Sequence, residues 1–461
     1  MDFTKGQIIE FDVSGLAFGG SGIGKYEGRT VFVEKTMPGD RVKAALTKLK
    51  PNYFEAELVE VVKSSEDRVE AKCKYFGVCG GCQFQFMPYE KQLEHKRQQV
   101  VDCFERIGKF VSPPVKEAIG SSEFYYYRNK MEFSFGYDGE MNFTLGMHAP
   151  GRKFDIMDLR ECHLESLFSH EIVNATRDFM IALGWAPFKY SNGDGFLKAL
   201  VIREGKRTGE VMVVLRTSTD KPENVEEKLA EFVEVLLKVD GGEKKITSIY
   251  WSQDISERGK PRRIEEKVLY GKSILSEHLV IGDEKLEFEI RPQSFFQVNT
   301  FQAEILYAEV LKLAREGNHE TVFDLFCGTG TIGLFLARHV EKVLGIELNE
   351  ESVKAARENA RKNNVFNIDF FVGDVGKALH SVKEKPSLIV VDPPRMGLTE
   401  SMIEKISDFN SPRIIYVSCN PATLARDCAL LREYGYELKS VQPVDMFPHT
   451  AHIENVCLLS R

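Results

Sequence analysis

Cys419 has the placement of a catalytic nucleophile. The run Ser418-Cys419-Asn420-Pro421 closes an apolar stretch, Arg413-Ile-Ile-Tyr-Val417, that reads as a buried parallel strand, and a helical run opens at Pro421. Open α/β sheets hold their reacting groups at the carboxyl ends of such strands. A helix N-terminus favours a thiolate, so the turn is expected to lower the pKa of Cys419. Cys428, Cys457 and Cys103 read instead as small core residues. Upstream lie Asp392-Pro393-Pro394-Arg395 and the glycine-rich turn Phe323-Asp-Leu-Phe-Cys327-Gly328-Thr329-Gly330. A cysteine on the rim of a cofactor pocket suggests covalent catalysis on whatever receives the cofactor's group.

The cofactor rim is written in acids at successive strand ends. The glycines let backbone approach a ligand closely, because glycine has no Cβ. One strand later Glu347 ends Val343-Leu-Gly-Ile-Glu347, where a carboxylate can accept hydrogen bonds from both hydroxyls of a ribose. The spacing Gly-x-Gly-x-x-Gly of a NAD site is present only by overlap in Gly328–Gly333. Glu347, Asp374 and Asp392 together make a nucleotide-type site a stronger reading than three unrelated helix-capping acids.

A second cysteine group is Cys73-x5-Cys79-Gly80-Gly81-Cys82, with Cys162 further along the chain. Four thiolates can hold zinc or an iron–sulfur cluster, and spacing alone does not choose between them. The Cys-x3-Cys-x2-Cys of radical enzymes is absent.

These residues need a scaffold of several domains. At 461 residues the chain exceeds one core. Hydrophobic residues at 43% and charged residues at 28% are ordinary for a globular protein. No apolar run is long enough for a membrane span, and the start Met1-Asp-Phe-Thr-Lys lacks a signal-peptide pattern, so a cytoplasmic protein with no membrane partner is expected. The nine cysteines then read as metal, catalytic or core residues and not as disulfides. Net charge is 61 − 69 = −8, which argues against a globally basic nucleic-acid binder but leaves room for a local basic face.

Three parts follow from the pattern. Residues 1–65 alternate in short strands with close turns and predict a small β-barrel. Its run Arg41-Val-Lys43-Ala-Ala-Leu-Thr-Lys48-Leu-Lys50 is either a solvated strand face or a phosphate-tracking surface. Residues 66–285 predict a mixed α+β domain containing an amphipathic helix over 89–106, and Arg128-Asn129-Lys130 reads as RNA-facing or as a solvated loop. Residues 286–461 alternate strand and helix and predict a doubly wound α/β sheet whose last strand is reversed, the final pair being an antiparallel hairpin.

The combination of Ser294-Phe295-Phe296-Gln297-Val298-Asn299, Asp324-Leu-Phe-Cys-Gly-Thr-Gly330, Asp392-Pro-Pro-Arg395, Ser418-Cys419-Asn420-Pro421 and His452-Ile453-Glu454 resembles the bacterial RNA uracil-C5 methyltransferases that use S-adenosylmethionine. Within them it is most similar to the 23S ribosomal RNA branch, and the match covers nearly the whole chain. The resemblance implies an N-terminal RNA-binding TRAM barrel (OB-like), a central iron–sulfur domain and a C-terminal Rossmann-like methyltransferase domain. It implies Cys419 as the nucleophile and Glu454 as the base. Gln297, Phe326, Glu347 and Asp392 match positions that contact the cofactor. Phe326 stands where many relatives carry tyrosine, which keeps the aromatic face and gives up a hydroxyl. Phe295 is placed to stack on the target base or a neighbour. Cys73, Cys79, Cys82 and Cys162 match ligands of a [4Fe–4S] cluster with a structural role. A monomer acting on RNA, 23S rRNA in the first place and transfer RNA as the alternative, is the expectation. Arg395 in place of an aromatic residue disfavours an amino-group methylase, and the lack of a second Pro-Cys disfavours a cytosine-C5 methylase. An RNA-binding assembly factor or an iron–sulfur sensor on an inactive methylase fold is the competing class, which the Cys419 and Glu454 pair opposes.

Overall fold

The computed structural model describes residues 3–255, 263–317 and 319–461. Five strands, β1 (Ile8–Leu16), β2 (Gly22–Tyr26), β3 (Arg29–Val33), β4 (Arg41–Leu49) and β5 (Tyr53–Lys63), close into a barrel in the order β1-β2-β3-β5-β4. Alternation sets its inside: Ile9, Phe11 and Val13 point inward to meet Val31, Val42 and Phe54, while Ile8, Glu10 and Asp12 face out. On the outside, Arg41 pairs with Glu10 at 2.7 Å, Lys43 with Glu60 at 3.1 Å and Lys48 with Glu55 at 2.7 Å. Three of the four cations of the basic run thus stand beside carboxylates of neighbouring strands.

The middle of the chain builds α1 (Tyr89–Arg106), β6 (Lys130–Tyr137), β7 (Phe143–Ala149), β8 (Arg152–Asp158), α2 (Leu167–Leu183), β9 (Leu197–Glu204), β10 (Glu210–Thr217), α3 (Val225–Leu237), β11 (Lys245–Ile255) and β12 (Arg263–Gly271). Seven strands form one sheet, β12-β11-β10-β9-β6-β7-β8. One face, with Phe133, Leu200, Val213 and Trp251, is buried under Ile172 and Val173 of α2 and Phe232 and Leu236 of α3. The amphipathic helix expected in this region is α1, but it belongs to another core: Val100, Cys103 and Phe104 pack with Leu424, Ala425 and Cys428 of the C-terminal part.

The remainder is β13 (Leu275–Ile281), β14 (Glu284–Ile290), α4 (Thr300–Arg315), β15 (Thr321–Leu325), α5 (Thr331–Leu336), β16 (Lys342–Glu347), α6 (Glu350–Lys362), β17 (Ile368–Val372), α7 (Val375–Ala378), β18 (Leu388–Val391), α8 (Glu400–Asp408), β19 (Arg413–Ser418), α9 (Pro421–Glu433), β20 (Glu437–Val444) and β21 (Glu454–Ser460). The sheet order is β17-β16-β15-β18-β19-β21-β20, with the first five strands parallel and β21 antiparallel to both neighbours. This is the doubly wound sheet with one reversed strand. The order turns at β15 and β18, which opens a crevice at their carboxyl ends. The hairpin β13–β14 carries Leu279, Leu286 and Phe288 into the same core as Leu306 and Val310 of α4. A division at residue 285 thus falls inside β14, and the hairpin packs with the C-terminal sheet domain.

Among the described residues, no helix is long and apolar enough to cross a membrane. A small cluster of Leu16, Met37, Phe84, Phe86, Met87 and Ala451 joins the barrel and the cysteine segment to the loop before β21.

Candidate active site

The carboxyl ends of β15, β16, β18 and β19 line a cleft of about 730 Å³, and Cys419, Glu454, Gln297, Phe326, Glu347 and Asp392 all face it. The strands explain the convergence. Strand β19 pairs with β21 through Ser418 and Asn455, and the Asn455 amide donates to the Ser418 carbonyl at 3.3 Å. The next residues outward are Cys419 and Glu454, so neighbouring strands set them side by side at the spacing of a β-pair, roughly 5 Å between Cα atoms. After Cys419 the chain enters α9, capped by the Asn420 side chain, which accepts from Ala422 N at 3.1 Å. The same side chain donates to the Arg395 carbonyl at 3.0 Å, which fixes the Asp392-Pro-Pro-Arg turn beside the cysteine.

Glu347 ends β16, with Oε2 accepting from Gly328 N at 3.2 Å and Oε1 from Asn349 N at 2.8 Å. The carboxylate is held in place before any ligand arrives. Gly330 has φ +80°, and a Cβ there would stand 2.7 Å from the Phe370 ring, so the turn needs glycine on both counts. Phe326 is a non-glycine residue at φ +63°. Such a conformation costs about 1 kcal/mol or more and is typical of residues that a site over-determines.

The electrostatics are those of a site waiting for a cation. Asp324 is buried, with Oδ2 on Gly333 N at 2.9 Å and Oδ1 unpartnered. Burial first, and then the Asp392 charge, raise its pKa to about 8. Burial raises Asp392 to about 7 and, with Asp392 adding repulsion, Glu454 to about 8. The expected lowering at Cys419 is not what the structure gives. Burial and then the neighbouring Glu454 push its thiol up to about 11, and Arg395 opposes them. The helix start at Pro421 is outweighed by desolvation, and Arg395 is the neighbouring charge that favours the thiolate.

Sequence reasoning missed two parts of the site. Tyr307 of α4 is buried against the cleft beside Gln297, and burial first, then the Asp392 and Glu454 charges, raise its pKa. In sequence it is one more core aromatic of an amphipathic helix. The other part is the support of the Asp445–Ile453 loop that delivers Glu454. The Lys96 ammonium, fully buried, donates to Asp445 Oδ1 at 2.6 Å and to the Phe447 carbonyl at 3.1 Å. The Tyr89 hydroxyl donates to Asp445 Oδ2 at 2.9 Å, and the His449 carbonyl accepts from Gln83 N at 2.8 Å. Partners about 350 residues apart leave no local signal.

The three residues Arg128-Asn129-Lys130 part ways in the fold, Lys130 opening β6. Asn129 is buried and donates to the Gln297 carbonyl and to Thr300 Oγ1, both at 2.9 Å, which fixes the loop carrying Gln297. Arg128 instead borders the cavity lined by Cys73, Cys79, Cys82 and Cys162. Three of those sulfurs accept N–H groups: Cys79 from Gly81 N at 3.4 Å, Cys82 from Gln85 Nε2 at 3.2 Å and Cys162 from Leu164 N at 3.5 Å. Among the described residues no three His, Cys, Asp or Glu side chains are gathered closely enough to hold a single metal ion. Cys103, Cys428 and Cys457 are buried in the core, as their sequence contexts suggest.

A cation entering the cleft should draw protons off its carboxyls. Near pH 7.5, between the values of Asp392 and of Asp324 and Glu454, binding of the sulfonium cofactor that the resemblance implies is expected to release protons, because a positive ligand stabilises each carboxylate. Calorimetry in two buffers of different ionisation enthalpy measures this. Equal binding enthalpies in both would show that these carboxyls do not titrate with the ligand.

Residues 245–461 match the family model described as tRNA (Uracil-5-)-methyltransferase, and residues 2–59 match that of the TRAM domain. An uncharacterized RNA methyltransferase of Clostridium tetani is 38% identical across 100% of this chain and 99% of its own length. One from Halalkalibacterium halodurans is 37% identical, covering 99% of this chain and 97% of the relative. Among solved structures, the Pyrococcus abyssi tRNA (uracil-54, C5)-methyltransferase in complex with S-adenosyl-L-homocysteine is similar with a TM-score of 0.75 and 28% identity, over 98% of this chain and 100% of that one.

Proposed function

Because the chain belongs to the RNA uracil-C5 methyltransferase family and begins with a TRAM domain, we propose that it forms 5-methyluridine in 23S rRNA in the cytoplasm. The observation that carries the chemistry is the placement of Cys419 and Glu454, each one residue beyond the Ser418–Asn455 pair of β19 and β21, on the rim of the acid-lined cleft. Uracil C5 is a poor nucleophile. When the Cys419 thiolate bonds to C6, the ring loses its conjugation and C5 becomes enolate-like, which splits one hard step into two easier ones. S-adenosylmethionine supplies an electrophilic methyl group carried on a sulfonium. The C5–methyl bond forms as the sulfur–methyl bond breaks. Glu454 then takes the C5 proton, and the electron pair left behind expels the Cys419 thiolate. Its raised pKa makes Glu454 a stronger base than an exposed carboxylate. In this reading Glu347 takes the ribose hydroxyls, Asp392 the positive end of the cofactor, and Gln297 and Phe326 its remaining faces, a role supported by their common lining of the cleft. Arg395 faces the nucleophile and stabilises its charged form.

The 23S assignment is supported by the likeness to the branch that combines a TRAM barrel with four such cysteines. Transfer RNA is the second reading, favoured by the substrate of the Pyrococcus abyssi neighbour. Mapping 5-methyluridine in 23S rRNA and tRNA from cells with and without the gene decides between them. Loss of a 23S site is the expected result, and loss confined to tRNA would overturn it. Unchanged 5-methyluridine in both would favour a non-catalytic role.

We also assign Cys73, Cys79, Cys82 and Cys162 to a [4Fe–4S] cluster with a structural role. The fit rests on their shared cavity and on the N–H groups aimed at three sulfurs, which stabilise thiolates. A cluster places several atoms between its ligands and accepts wider thiolate spacing than one ion does. Cys82 lies next to Gln83, whose N–H holds the loop leading to Glu454, so the cluster would brace the base. Protein purified without oxygen should be brown and contain about four irons per chain. Cys79→Ala or Cys162→Ala should lose the colour and lower the stability of the middle domain. Colourless protein with stoichiometric zinc would refute the assignment.

A further inference from the structure

The central sheet carries a second cavity, of about 330 Å³, away from the cleft. Tyr137, at the end of β6, forms one wall, and the loop bearing Phe188 and Tyr190 forms the other. Tyr190 is 69% exposed, and its ring meets Phe188 edge-on at 5.1 Å. The loop is rigidly folded: Lys189 N donates to the Asp194 carbonyl and Phe188 N to the Leu197 carbonyl, both at 2.7 Å. Lys189 Nζ stands 5.8 Å from the Tyr137 ring centre, and Lys198 Nζ 4.3 Å from that of Phe188. Lys189 has no carboxylate partner among the described residues. On the floor, Ser134 Oγ and His148 Nε2 lie 3.0 Å apart, a polar pair between aromatic walls.

Strand register connects this cavity to the cleft. Lys130 of β6 lies opposite Arg203 of β9, so both side chains share one face of the sheet. That face turns toward the cleft, because the Arg203 guanidinium donates to the Pro292 carbonyl at 3.1 Å and to that of Ser294, just before Phe295. Alternation carries the same face along β6 from Lys130 through Glu132 to Ser134, which lines the cavity. At about 3.3 Å per residue, the cavity lies roughly 20 Å from the Gln297 loop. Arg216, bonded to Glu132 at 2.9 Å, and Lys198, 3.3 Å from Asp254, pave the ground between. Lys130, Arg216, Lys198 and Lys189 stand on this ground beside Glu132, Asp254 and Glu266, the last opposite Ser252, which is itself opposite Arg216. In a chain of net charge −8, these four cations gathered along one sheet face make a path that ends in aromatic rings.

We propose that this cavity is a stacking subsite for a nucleobase of the substrate RNA, occupied by a single-stranded nucleotide lying some 20 Å along the strand from the target uridine. Exposed aromatic faces beside cations are the chemistry by which single strands are bound without base selectivity. The proposal rests on RNA being the substrate, though not on the nucleotide modified. The test is binding of a labelled oligouridylate of about 20 nucleotides, long enough to reach from cleft to cavity, to the full-length protein. Tyr190→Ala should weaken binding about tenfold and Tyr190→Phe should restore it, because the ring and not the hydroxyl stacks. Lys189→Ala should lower the slope of log affinity against log salt by about one, as for one lost phosphate contact. Photo-crosslinking of 4-thiouridine RNA should label the peptide containing Tyr190. Unchanged affinity and salt slope in both alanine variants, or crosslinks confined to the barrel and cleft, would overturn the subsite. These readouts need no methyl transfer. A protein that shows them yet methylates nothing would keep the subsite and lose the proposed reaction.

Discussion

Cys419→Ala is expected to abolish methyl transfer, by at least about 10³-fold, the scale on which removing a covalent nucleophile is felt. The same variant should bind S-adenosylmethionine as the parent does. In the proposed reaction the sulfur acts at uracil C6, whereas the residues proposed for the cofactor, Gln297, Phe326, Glu347 and Asp392, line another part of the cleft. The fold should be untouched. Cys419 is only partly buried at a turn, its neighbours are fixed by the Asn420 cap, and a substitution of this kind changes stability by about 0.5 kcal/mol or less. Turnover of labelled S-adenosylmethionine, beside calorimetry of cofactor binding, separates the two properties. Substantial activity would remove the covalent route. Lost cofactor affinity would mean that the thiol belongs to the cofactor's site.

The parts of this site that were legible in sequence are those governed by local pattern. Glu347, Asp392 and Cys419 each follow a short apolar strand and precede a turn or helix, and a parallel sheet obliges such positions to share one edge. Glu454 opens a strand whose partner could be identified as the one before it in the hairpin. Its apposition to Cys419 needed the further fact that β21 inserts between β19 and β20. What was not legible is set by tertiary contact. The stripe of α1 shows that it packs, but not that its partner is α9, more than 300 residues away. Lys96 reads as a solvated lysine until Asp445 and a carbonyl enclose it. Arg41, Lys43 and Lys48 read as an unpaired basic run because their carboxylates sit on neighbouring strands. The thiol of Cys419 was misjudged for a related reason. The helix start is visible in sequence, but the burial and the Glu454 carboxyl that outweigh it are supplied by other segments. A division at 285 failed for want of a breaker that marks a domain edge, since β13 and β14 are an ordinary hairpin and only their packing assigns them.

Glu454→Gln should separate the two halves of the reaction. Glutamine has nearly the shape of the acid and cannot take a proton, and the loop that delivers position 454 is clamped by Lys96, Tyr89 and Gln83 independently of that side chain. Attack at C6 should survive, because a neutral amide no longer adds to the push that raises the Cys419 thiol. Methyl transfer to C5 should survive as well, because the C5 proton is removed only after the methyl group has arrived. Elimination then lacks its base and should slow by about 10² to 10⁴, the usual contribution of a placed general base. A covalent protein–RNA adduct should therefore accumulate, stable to denaturant and dependent on both S-adenosylmethionine and Cys419. The target base must leave its stack for the sulfur to reach C6, so the adduct should form best on a uridine in a loop or single strand. Denaturing electrophoresis with labelled RNA shows it as a shifted band. Normal turnover without a band would move the base to another group, with Asp392, the carboxyl whose charge acts on Glu454, as the candidate. A band on cytidine-containing RNA but not on uridine would instead refute the uracil assignment, since the same sulfur would then be activating a different ring.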